Sequence, residues 1–342
     1  MAASVQKDNA AAGESGEPIR GVGDAITDVE GVSVGHISLM DDDVQTGITV
    51  VIPTPNHIEN ALLFYGKYTD GDHAALTGFQ VTEDFGLLSA PIFLTNLLSV
   101  GKIYNGALTN AFTRGSGLPT DGGWPPIIMG FDDRLLNNMN RRVLSEEHAL
   151  EALVTAKTGP VTQGNVGAGV GAVSFGYKGG IGSASRSVRL EGKSFTVGSL
   201  VLANHGERKD LKDKSDSPSA ENPFPSFLGV IATDAPLSSA ALDSLASQAA
   251  RGAEDCGSRR RPRGANTVVA FSTGHLVRGP DDGSKYKLFF QEADGVWELA
   301  QAAREATHAA IAKALSAAES LSGVDGKVVS NMPLSVIQTL DG

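Results

Sequence analysis

Phe224-Pro225-Ser226-Phe227-Leu228-Gly229-Val230-Ile231-Ala232-Thr233-Asp234-Ala235-Pro236 decides how this chain is read. A lone hydroxyl, Ser226, heads a continuous apolar run, which predicts a buried strand over Ser226–Thr233. Directly upstream, Glu207–Pro225 is dominated by Glu, Lys, Asp, Ser and Pro, the composition of a linker. A serine at such a junction, freed by cleavage of the bond before it, would carry a nucleophile and, in its own α-amino group, a base. On local pattern alone the plainer reading, a strand-start serine after a loop, is favoured.

Working outward, Asp234-Ala235-Pro236 predicts a helix start with the acid as N-cap, and Leu237, Ala241, Leu245 and Ala249 share one face of that helix. Toward the N-terminus, Val32–Ile37, Gly47–Pro53 and Pro91–Asn96 read as short strands, and a helix is expected near Gly101–Arg114. Ser145 with Glu146 and Glu147 opens another helix, which Gly159-Pro160 ends. Gly167–Tyr177 and Phe195–Asn204 read as paired strands around a turn at Lys178-Gly179-Gly180-Ile181-Gly182. A strand at Thr267–Ser272 and a long helix near Glu292–Leu321 close the chain. Helices and strands arrive in groups, which favours a layered α+β fold over a doubly wound sheet.

The chain has 342 residues, 41% of them hydrophobic, so one large domain or two small ones can bury a core. A net charge of −11 argues against a general nucleic-acid or membrane-surface role. The single cysteine, Cys256, forbids an internal disulfide and a Cys-rich metal site, and the seven histidines show no ligand spacing. No metal and no cofactor is therefore expected. Residues 1–20 read as a disordered leader, without the apolar core of a secretory signal, and no run approaches the roughly 20 apolar residues of a membrane span. A cytoplasmic setting is the expectation. Residues 21–342 read as a single catalytic domain, with 207–225 as its linker. The basic run Arg259–Arg263 reads as a solvated loop, with an anionic-substrate contact or a protease-sensitive loop as the sharper alternative.

Three further positions bear chemistry. The Lys178–Gly182 stretch lacks the Gly-Lys-Ser/Thr ending of a phosphate loop, but Lys178 as a buried cation can lower a neighbouring amine's pKa. Asn204, ending the apolar strand Leu200–Ala203, can donate to a developing oxyanion or simply tie down a turn. His205 follows as a weaker substrate-contact candidate.

Taken in order, these pieces carry a resemblance. Ile26-Thr27-Asp28-Val29-Glu30-Gly31-Val32-Ser33-Val34-Gly35-His36, Thr46–Thr49, Pro91–Gly101, Phe175–Arg186, Leu200–Gly206 and Ile231–Leu237 resemble the self-processing aminopeptidase family. That family includes L-aminopeptidase/D-Ala-esterase-amidases, β-peptidyl aminopeptidases and, more distantly, nylon-oligomer hydrolase. The resemblance implies a four-layer α/β/β/α sandwich like that of N-terminal-nucleophile hydrolases, autocleavage between Pro225 and Ser226, and a homotetramer. It implies Ser226 as nucleophile, Asn204 as oxyanion donor and Lys178 as the glycine-loop lysine, acting on a small peptide, amide or ester.

The match departs from the family at several supporting positions. Proline precedes the serine where Gly or Asn is usual. Gly130 and Leu135 stand where a glutamate for the substrate amine and a tyrosine are expected, with Asp132 as a substitute anchor in a shifted register. Gly264 and Asn266 replace a polar pair, leaving Asn266 as a substrate-side candidate. A transacylase or cyclase using the same acyl-enzyme, and a degenerate non-catalytic member, are the alternative readings.

Overall fold

Side chains of a strand alternate between its two faces. Among the described residues the alternation sorts most apolar residues into three large cores, with a small fourth cluster at Leu136, Val173 and Val329. A computed structural model describes residues 17–55, 62–71, 75–113, 125–211, 221–257, 264–277 and 288–341. In chain order, β1 (Ile19–Arg20) is followed by β2 (Ser33–Asp41), β3 (Val44–Ile52), β4 (Leu62–Gly71) and β5 (Ala75–Thr77). Helix α1 (Phe79–Phe85) leads to β6 (Leu87–Leu88) and β7 (Ile92–Asn96); α2 (Val100–Thr113) leads to β8 (Ile127–Phe131) and α3 (Glu146–Thr155). A hairpin of β9 (Val173–Ser174) and β10 (Tyr177–Lys178) precedes the long pair β11 (Gly180–Leu190) and β12 (Lys193–Asn204). Then come β13 (Ser226–Thr233), α4 (Ser239–Asp255), β14 (Ala265–Val277) and α5 (Ala293–Ser316).

The larger sheet has the order β1-β11-β12-β13-β14-β4-β6 and the smaller one β2-β3-β7-β8-β5. In the larger sheet β13 and β14 run parallel, which requires the crossover that α4 supplies. On β13, Phe227 and Ile231 pack with Val197 and Val201 of β12 under α4 and α5, through Leu245, Ala249, Leu299 and Ile311. The intervening residues Leu228, Val230 and Ala232 face the other way. With Leu200 and Leu202 they meet Val51, Ile92, Leu94 and Met129 of the smaller sheet. Outside that sheet, Ile48, Val50, Phe93 and Ile128 bury Ile103 and Ala107 of α2 and Ala149 and Leu153 of α3. The result is four layers, α/β/β/α. Each fully buried Leu, Ile or Phe in these interfaces contributes roughly 1.5–3 kcal/mol of burial.

The glycine-rich stretch after Lys178 is strand, not turn: Gly180–Leu190 is β11 and pairs with β12 along its whole length. Its glycines serve close packing. A Cβ on Gly182 would collide with the Ala310 carbonyl oxygen, so α5 rests directly on the β11 backbone. The alanines of α5 (Ala303, Ala306, Ala310, Ala314) complete that tight seam. Asp234 is also not a helix cap. Its Oδ1 accepts from the Thr196 N–H at 2.7 Å, and α4 starts later, capped by Ser238. The expected cap at Ser145 is present, closed by the His148 ring.

Ile19 and Arg20, inside the stretch read as a leader, pair with Ser187 and Arg186. Residues 1–16, residues 212–220 of the linker stretch and the Arg259–Arg263 run lie outside the described residues. Among the described residues no helix is long and apolar enough to cross a membrane.

Candidate active site

Ser226 is the first residue of β13. It pairs across with Asn204, the last residue of β12, and on the other side with Ala265, the first of β14. Three strand ends therefore meet at one point. By alternation Ser226 shares the face of Leu228 and Val230, and Asn204 that of Leu200 and Leu202, so both look into the layer between the sheets. Ser226 is 1% exposed, and its Oγ has no hydrogen-bond partner among the described residues. Leaving a buried hydroxyl unpartnered costs about 1–3 kcal/mol, so the Ser226 hydroxyl is available to a reacting group placed in that layer.

The carbonyl of the bond before the serine is already engaged. Pro225 O accepts from the Ala265 N–H at 3.3 Å. A backbone donor at that position polarises the carbonyl and can hold the negative charge that builds on its oxygen during attack.

Asn204 is held by its acceptor end and comparatively free at its donor end. Its Oδ1 accepts from the Val173 N–H at 2.9 Å and from Asn222 Nδ2 at 3.1 Å. Its Nδ2 makes one long bond, 3.4 Å to the Asp132 carbonyl. An oxyanion is a much stronger acceptor than that carbonyl.

Lys178 follows a hairpin turn in which Phe175 (φ 54°) and Gly176 (φ 79°) are both left-handed, as a two-residue turn of this kind requires. The conformation is uncommon for an aromatic residue; the Phe175 N–H is fixed by the His205 carbonyl at 3.0 Å. The Lys178 Nζ is fully buried and donates to the carbonyls of Gly169, Ala172 and Gly179 at 2.8, 3.0 and 2.9 Å. Burial pulls its pKa down to about 7, while three carbonyls are a complete partner set for the three hydrogens of the ammonium and support the charged form. Lys178 thus reaches the serine's neighbourhood through the backbone, not through direct contact with Ser226.

The loop after β8 carries two acids. Asp132, expected as an anionic anchor for a substrate amine, is taken by Arg134, whose Nε lies 2.8 and 2.7 Å from its two carboxylate oxygens. Asp133 is buried and accepts from Thr46 Oγ1 at 2.7 Å and Asn137 Nδ2 at 3.0 Å; burial raises its pKa to about 7.

His205 stands apart from Ser226's face. Its ring lies edge-on between Phe175 and Phe227, 5.3 and 5.2 Å away, both residues of the core under α4 and α5. Burial there pushes its pKa to about 3, which leaves it a neutral packing residue. Asn266 is buried opposite Phe227, one position from the Ser226–Ala265 pair. Among the described residues no group of three His, Cys, Asp or Glu is arranged to hold a metal ion.

Sequence reasoning missed four contributors. The Ala265 N–H is a backbone group placed only by strand register. Asn222 sits inside the polar stretch, yet its Nδ2 donates to Val173 O at 3.1 Å and Asn204 O at 3.3 Å as well as to Asn204 Oδ1. Arg134, two residues after Asp132, was visible as a potential partner. Asp133 gave no signal, because its burial depends on Thr46 of β3, Asn137 and Gly171, which come from separate parts of the chain.

The sequence model of peptidase family S58 matches residues 24–329. A β-peptidyl aminopeptidase, BapA, of Sphingosinicella microcystinivorans is 32% identical, over 95% of this chain and 89% of that protein. A β-aminopeptidase from a Burkholderia species superposes with a TM-score of 0.85 at 32% identity, covering 95% of both chains. The L-aminopeptidase D-Ala-esterase/amidase of Ochrobactrum anthropi, described as a prototype serine aminopeptidase and a variant of the Ntn hydrolase fold, superposes with a TM-score of 0.86. It is 26% identical, covering 94% of each chain.

Proposed function

Because this chain belongs to peptidase family S58 and is a peptide-bond hydrolase of the aminopeptidase type, we propose that it matures by cutting its own Pro225–Ser226 bond and then works through the freed Ser226. The observation that carries the reading is the buried, unpartnered Ser226 Oγ beside a scissile carbonyl polarised by the Ala265 N–H.

In maturation, Ser226 Oγ attacks the Pro225 carbonyl carbon and the oxyanion rests on the Ala265 N–H. The C–N bond breaks, the Ser226 nitrogen takes the hydroxyl's proton, and water hydrolyses the resulting ester. Proline keeps its carbonyl, so the step is open to it.

In turnover, the new α-amine, with an ordinary pKa near 8, accepts the Oγ proton as the oxygen attacks a substrate carbonyl. Asn204 Nδ2 turns from the long Asp132 contact to the oxyanion. The leaving amine departs with the proton, and water releases the acid. Lys178 acts as a positioning residue, holding the backbone that orients Asn204. Substrates are small peptides, amides or esters, and the processed chain assembles as a homotetramer.

Intact mass of the purified protein tests the first half. Fragments 1–225 and 226–342 are expected, and a Ser226→Ala variant stays whole. A wild-type chain that remains full length yet hydrolyses an amino-acid anilide would sink the cleavage step. Adding a competing amine to the assay separates hydrolysis from acyl transfer.

A further inference from the structure

The residues that precede Ser226 are the acyl side of its first reaction, and they are not loosely held. Pro225 supplies the carbonyl, and Phe224 stands one residue further back. The Arg134 guanidinium carbon lies 4.4 Å from the Phe224 ring centroid, a distance at which a cation is attracted to a ring face. Arg134 is itself fixed. Besides its two Nε contacts to Asp132, its backbone N–H donates to Asp132 Oδ1 at 3.0 Å. The carboxylate is buried while the guanidinium is half-exposed, so the pair forms a rigid platform open on its outer side. Asn222, bonded to Val173 and Asn204, anchors the same segment from the other end, and the Phe224 N–H donates to its Oδ1 at 3.0 Å.

Resting on the function proposed above, we propose that Arg134 is a specificity residue. Its guanidinium, held flat by Asp132, receives an aromatic ring on the residue before the acyl residue. The favoured donors are then peptides that begin with an aromatic residue followed by proline, released as a two-residue acyl unit. Ser226 Oγ forms an ester with the carbonyl carbon of the second residue. The bond to the leaving amine breaks, that amine takes the hydroxyl proton, and water frees the dipeptide and restores the serine. Asp132 does not bind the donor's ammonium, because Arg134 already occupies it.

The test uses the full processed chain with Phe-Pro-, Gly-Pro- and Pro-p-nitroanilide. Wild type is expected to show kcat/KM about 3- to 10-fold higher for Phe-Pro than for Gly-Pro, the range of a partly exposed cation–ring contact. Arg134→Gln should bring that ratio to within about twofold, and Arg134→Lys should retain part of it. A purely structural role for Arg134 lowers both rates together and leaves the ratio unchanged, which overturns the proposal. The wild-type ratio is decisive even if the variant folds poorly. Cleavage of Pro-p-nitroanilide with no Phe-Pro preference overturns this inference alone. No turnover of any of the three, with an uncleaved chain, overturns it together with the proposed function.

Discussion

Lys178 and Asn204 grip the two ends of one peptide group. The Ala172 carbonyl accepts from Lys178 Nζ at 3.0 Å, and the Val173 N–H of the same peptide plane donates to Asn204 Oδ1 at 2.9 Å. Because an amide plane is rigid, the lysine fixes the plane and the plane fixes the carboxamide. The carboxamide's donor end is left aimed into the layer that holds Ser226.

Lys178→Met removes a donor from three buried carbonyls, of which Ala172 keeps the Gly179 N–H and Gly169 the Ala172 N–H, and should destabilise the fold by roughly 1–3 kcal/mol. It should also lower kcat about tenfold or more by loosening Asn204. The acid limb of the pH–rate profile should persist, because in the proposed mechanism the freed Ser226 amine sets it. Loss of that limb in urea-stable Lys178→Met would make the lysine a direct proton-transfer group instead.

Asn204→Asp keeps an oxygen to accept from Val173 but removes the Nδ2 donor. Its kcat should fall by about 10²–10³-fold, the cost of deleting one oxyanion donor, with thermal stability closer to wild type than that of Asn204→Ala. Wild-type kcat in Asn204→Asp would remove Asn204 from the oxyanion site.

Asn222→Ala releases the segment that presents the Pro225–Ser226 bond. Fragment formation, followed by intact mass after expression and dilution, should slow several-fold, on the order expected for lost positioning. An unchanged rate would show that the Ala265 N–H contact alone aligns the bond.

Asp133 makes stability depend on pH in a defined window. Its folded pKa, about 7, lies above the ordinary 3.8, so between these values the folded chain holds a proton that the unfolded chain has released. Stability therefore falls as pH rises from about 4 to about 7, by an amount on the order of a few kcal/mol, and stays low above that. Asp133→Asn should flatten this part of the profile in urea unfolding at pH 5, 6, 7 and 8. The same slope in wild type and variant would place the proton elsewhere.

Much of this was legible because local signals and burial agreed. The apolar run from Ser226 to Thr233 is a strand over those same residues, and Ser145 does cap its helix. Three readings failed where tertiary contacts overrode local chemistry. Gly167–Tyr177, read as a strand paired with Phe195–Asn204, is a 3-10 turn followed by the β9–β10 hairpin. Asp234 looked like a cap but serves the β12 backbone, and the Lys178–Gly182 glycines looked like a turn but are thinned surfaces for Ala203, Gly164 and α5. Glycine carries the same local signal in both roles; only the neighbour it admits tells them apart.

Ser226, Asn204 and Lys178 could be singled out only by the ordered motifs that resemble the family, since local pattern alone favours a strand-start serine, a turn asparagine and a glycine turn. What each of them touches could not. That Lys178 meets three carbonyls rather than the serine, that Arg134 claims Asp132, that His205 packs between two rings, and that a backbone N–H of Ala265 holds the Pro225 carbonyl all follow from strand register and layer packing. Those are relations between residues far apart in sequence. They are set by which faces the two sheets and four helices bury together, and no local pattern encodes them.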